Sequence, residues 1–65
     1  MNVRMNQEIF DLMKAYFHGD TFKTFAWMKA NNPALGGVSP LWMMKVGRSK
    51  KLLKFVKTAL EGINP

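Results

Sequence analysis

Few side chains in this 65-residue chain could do covalent chemistry. His18 is the only imidazole, and no Ser or Cys is spaced to partner it as a nucleophile. Its place after the first apolar series fits a helix end, where a cationic ring favours the carbonyl terminus of the dipole. The four carboxylates, Glu8, Asp11, Asp20 and Glu61, fall singly on polar faces and read as solvated. No nucleophile–base constellation can be assembled from them. With no Cys, disulfides and thiolate metal sites are excluded. One His and four acids do not make a four-ligand metal site. The expectation is a non-enzymatic protein with no catalytic residue, metal or cofactor.

Two features could bind rather than react. Gly36-Gly37 precede a helix, as phosphate-cradling glycines do, but neither G-x-x-x-x-G-K-[ST] nor G-x-G-x-x-G is present. A tight turn feeding a capped helix is the plainer reading. The second feature is charge. The net +6 is concentrated after residue 44, where Lys45, Arg48, Lys50, Lys51, Lys54 and Lys57 face Glu61 alone. Such a segment is either a solvated face or a contact for a nucleic acid, an acidic protein or an anionic membrane. Phosphate binding could use these cations. Base reading in the major groove relies on Arg, Asn and Gln, whereas this segment offers almost only Lys, and no helix-turn-helix pair stands out. A membrane-surface role competes with the need of a very small core for Phe55 and the nearby Leu residues. No apolar run approaches the ~20 residues of a spanning helix, and the N-terminus lacks a signal peptide's apolar stretch. The default expectations are a cytoplasmic address and no membrane partner.

The elements that must position these groups are helical. Met5, Ile9, Leu12, Met13 and Tyr16, flanked by Phe10 and Phe17, trace one face of a first helix. Asn6 reads as its N-cap, Glu8 and Asp11 as favourable charges near its start, and Gly19 as the left-handed residue that ends it. Asp20 caps a second helix over residues 21–30, where Phe22, Phe25, Ala26, Trp27 and Met28 give a broad apolar surface. The connector "NNPALGGVSP" follows. Pro33 disfavours helical backbone at Asn32, Gly36-Gly37 permit positive φ, and Ser39-Pro40 pair a cap with a proline at the first helical position. Leu35 should pack beneath this turn and Trp42 beside the core. A third helix spans about 40–46, carrying Leu41, Trp42, Met43, Met44 and Val46, and Gly47 ends it. Ser49 could cap a fourth over about 50–61, closed by Gly62. On it Leu52, Leu53, Phe55, Val56, Ala59 and Leu60 fill one sector, with Lys50, Lys54 and Lys57 opposite and Lys51 at the edge. The expectation is a single domain over residues 1–65, an all-α bundle of about four short helices. A chain this small buries only about 60% of the surface exposed when unfolded. Without disulfide or metal it needs dense packing or association. Its six Met suit gap filling or an adaptable surface, and a homodimer is compatible with both.

Gly19-Asp20, Trp27, the run Asn32-Pro33-Ala34-Leu35-Gly36-Gly37-Val38-Ser39-Pro40-Leu41, then Gly47-Arg48 and a last helix reaching Gly62 form an ordered set. Over residues 17–62 this set resembles the toxin-binding domain of the Xre/MbcA/ParS antitoxin family. The resemblance implies a bacterial antitoxin, not an enzyme, that silences a toxin of RES-type or related ADP-ribosyltransferase-like fold. Such toxins consume NAD or transfer ADP-ribose from it. It implies that the C-terminal part covers or enters the toxin's NAD cleft, and that the chain commonly dimerises. It also makes Trp27, Asn32, Pro33, Leu35, Gly36, Gly37, Ser39, Pro40, Gly47 and Arg48 a structural signature that braces the last helix. Most members add an N-terminal helix-turn-helix domain that binds the operon's promoter. Here about 16 residues precede the matched region, so the expectation is a stand-alone inhibitor, phage-borne or on a mobile element. Lys50, Lys51, Lys54 and Lys57, with the tail Gly62, Ile63, Asn64 and Pro65, are the expected contacts to a toxin or another host protein. A small basic nucleic-acid-binding protein, and a phage regulator of a different host protein, are the alternatives.

Overall fold

The computed structural model describes residues 2–63, and their architecture is all-α with four helices. The first, α1, runs Val3–Tyr16. Its N-cap is Asn2, whose Oδ1 accepts from the Met5 amide at 3.0 Å, not Asn6. Asn6 lies a turn inside α1, where its Oδ1 instead accepts from the Ser49 hydroxyl. The earlier start also moves the acids away from the positive end of the dipole. Glu8 reaches across to Lys57, and Asp11 accepts from Gln7 Nε2 at 2.9 Å. At the other end the chain forms a Schellman turn. The amide of His18 bonds to the Ala15 carbonyl (3.0 Å) and that of Gly19 to Lys14 (2.8 Å). The left-handed C′ residue is therefore His18, at φ 56°, with Gly19 following at φ 83°.

Asp20 caps α2, Thr21–Lys29, accepting from the Lys23 amide at 3.0 Å. The inward face of α2 is narrower than the sequence implies. Thr24 and Met28, one turn apart, are its buried residues, and the Thr24 hydroxyl is satisfied by the Asp20 carbonyl at 2.8 Å. Phe22 lies about 160° around the helix from Thr24 and is 89% exposed. Phe25 is half-exposed and leans on Phe10, with ring centroids 5.3 Å apart.

The connector is a hydrogen-bonded knot. Asn32 Oδ1 accepts from the Ala34 amide, and the Asn32 carbonyl accepts from Leu35 and Gly37. Its amide donates to Val38, an isolated antiparallel bridge that closes the loop. Within it Pro33–Leu35 make a 3-10 turn, and Gly36 and Gly37 take φ of 81° and 86°. Ser39 then caps α3, Pro40–Lys45, accepting from the Trp42 amide at 3.0 Å. Gly47, at φ 82°, ends that helix as its composition requires.

The last helix, α4, is Ser49–Ile63. Ser49 is not its side-chain cap. It is helical and buried, and its hydroxyl is committed to Asn6. Nor does Gly62 close the helix, which continues to Ile63. Glycine takes right-handed φ as readily as left-handed, and no reversal of the described chain demands the latter. α4 packs chiefly along α1, and α3 contacts both α2 and α4. Ile9, Met13, Met28, Met43, Met44, Leu52 and Val56 form the core, with Leu35, Val38, Trp27 and Phe55 half-buried against it. Four Met fill this centre, consistent with their use as adaptable filler. Trp42 does not belong to it. It is 41% exposed, since α3 already spends its inward positions on Pro40, Met43 and Met44.

Candidate protein-docking surface

The cations that follow residue 44 are all exposed. Their positions follow from the buried stripe of α4. Ser49, Leu52 and Val56 face inward, so Lys50, Lys54 and Lys57 are forced outward. Lys57 leans toward α1 and pairs with Glu8 at 3.1 Å, both side chains about half exposed. It is the single ion pair among the described residues. A pair this wet contributes little to stability. It does turn one lysine of the expected contact set toward its own fold.

Lys51 lies about 120° around α4 from Lys57 and has a different setting. Arg48, Lys51, Phe55 and Ala59 follow one another at spacings of three, four and four, a single flank of the helix. Arg48 is further fixed by Trp42, its guanidinium carbon 5.4 Å from the ring centroid. The exposed Trp42 and Arg48 therefore make one unit at the start of α4.

Beside this flank lies a groove of about 330 Å³ between α1, α2 and α4. Tyr16, Phe17, Trp27, Phe55 and Leu60 contribute apolar walls, and Tyr16 meets Phe17 edge-on at 5.0 Å. Trp27 and Phe55, which the sequence places on the apolar faces of their helices, are both half-buried and open onto this groove. Its only signal in the sequence was the three-four-four spacing of Arg48 to Ala59, which places two cations on the same line as an aromatic ring.

Of the remaining expected contacts, Gly62 is exposed in the last turn of α4 and Ile63 ends it. Asn64 and Pro65 lie outside the described residues. Asn32, Pro33, Leu35, Gly36, Gly37 and Ser39 build the connector, and Leu35 packs on the core beneath it. Among the described residues no three His, Asp or Glu side chains gather as metal ligands, and no helix is long and apolar enough to cross a membrane.

No family model, curated protein or solved structure matches this chain.

Proposed function

We propose that this protein is a non-enzymatic inhibitor that binds another protein through the cationic side of α4. Supporting this reading is the exposure of Lys50, Lys51 and Lys54 on a helix whose other side is locked into the core. Opposite charge would steer such a surface onto an acidic partner. The motif resemblance over residues 17–62 gives that partner a class, a RES-type or related NAD-consuming toxin whose cleft α4 and the chain end would occlude in a bacterial or phage-infected cytoplasm. α1 and α3 both pack against α4, the kind of support a plug requires.

The test is co-expression with a RES-type toxin, reading host growth and cellular NAD. Wild-type protein should restore both. Reversal of Lys50, Lys51 and Lys54 to Glu should leave helicity intact and remove protection. An unprotected host would remove the toxin from the proposal. Protection that survives the reversal would reduce these lysines to a solvated face. The exposed cations also serve a second reading, nucleic-acid binding. Tight, salt-sensitive retention of generic DNA or RNA at physiological salt, with no protein partner, would favour it.

A further inference from the structure

Three shallow recesses meet at Phe55. One is the aromatic groove toward Tyr16 and Trp27. One runs under Lys51 and Lys54. One lies between the connector and Arg48. Together they make a continuous apolar track along the outer flank of α4. Its lining holds Arg48, Lys51 and Lys54 and no carboxylate. The molecule's other faces differ. The recess along α1 mixes Arg4 with Glu8 and Asp11, and the one between Phe10 and Phe25 carries no charge at all. Of these recesses among the described residues, those meeting at Phe55 combine an apolar floor with charge of one sign.

We propose that this track is the docking groove for an acidic amphipathic helix of the partner protein, a refinement that rests on the inhibitor reading above. Apolar side chains of that helix, at i, i+4 and i+7, enter beside Phe55 and Ala59. Its flanking carboxylates face Arg48, Lys51 and Lys54. The floor suits aliphatic groups better than nucleobases. Trp27 and Phe55 are half-buried and Phe17 meets Tyr16 edge-on at 5.0 Å, which leaves these rings in mutual or core contact rather than as a stacking platform.

The probe is a labelled helical peptide with Leu at i, i+4 and i+7 and Glu on the flanks, followed by fluorescence anisotropy on the full chain. Controls are the same peptide with Gln for Glu, a Glu peptide with Ser for Leu, and a single-stranded RNA. The acidic Leu peptide should bind more tightly than each control. Binding should weaken at least about tenfold with Lys51→Glu and with Ala59→Gln. The first reverses a rim charge and the second fills the groove from an exposed helical position, so circular dichroism should be unchanged for both. Lys23→Glu, exposed on α2 and away from the track, should alter binding by no more than about twofold. No peptide binding, equal affinity for the uncharged or Leu-free peptide, tighter RNA binding, or indifference to both groove variants would each overturn the proposal. Failure of toxin neutralisation with peptide binding intact would remove the toxin and leave the groove. Neutralisation that ignores Lys51→Glu and Ala59→Gln would do the reverse.

Discussion

Three backbone positions show how much of this fold depends on single residues. Gly36 sits at φ 81° with open space where a Cβ would project, so a substitution there costs backbone strain and no clash. Gly36→Val should destabilise by about 2 kcal/mol, a fall in Tm of roughly 10 °C. An unchanged melt would show that the turn tolerates another conformation. Gly62 is the counter-case, helical and exposed. Gly62→Ala should stabilise by about 0.5–1 kcal/mol through helix propensity and reduced unfolded-state entropy. His18 offers a third check because it holds φ 56° without being glycine. His18→Gly should raise Tm slightly, as relief of strain of about 1–2 kcal/mol exceeds the added entropy cost of glycine. At this scale the sequence was readable where a side chain has one local job. Asp20, Ser39 and Gly47 all act as their types and neighbours require. It misled where a side chain is recruited from far away. Asn6 and Ser49 look like caps in isolation, but 43 positions apart they find each other.

That pair governs the next scale, since α1 and α4 are the most extensively packed helices. The Asn6–Ser49 hydrogen bond is the part-buried polar tie of this seam, with the Glu8–Lys57 pair at its wet edge. Ser49→Ala should cost about 1–2 kcal/mol by leaving Asn6 Oδ1 without its partner. Pairing it with Asn6→Leu should recover part of that loss, and a double-mutant cycle by chemical denaturation reads the coupling. The helix boundaries were legible from periodicity and punctuation to within a few residues. The width of each buried face was not. Periodicity marks Phe22, Phe25 and Trp42 as apolar, but whether they are covered depends on how many helices pack around them. A four-helix chain of this size leaves α2 and α3 covered on one side only. The groove beside Phe55 was hidden for the same reason, as it exists only once α1, α2 and α4 converge.

For the molecule as a whole, the uneven charge and the rigid placement of α4 belong together. Asn32 threads the connector through four hydrogen bonds, and α3 and α1 hold α4 from two sides, so its cationic side is presented without further ordering. Binding should therefore weaken as salt rises, with the loss mainly in association rate. The most direct measurement is lysine footprinting with an amine-reactive reagent, on the free protein and on its complex with the protein partner captured from its host. Lys50, Lys51 and Lys54 should lose reactivity in the complex while Lys14, Lys23 and Lys29, exposed on α1 and α2, label as in the free protein. Unchanged labelling along α4, with protection on α1 and α2, would contradict docking through α4.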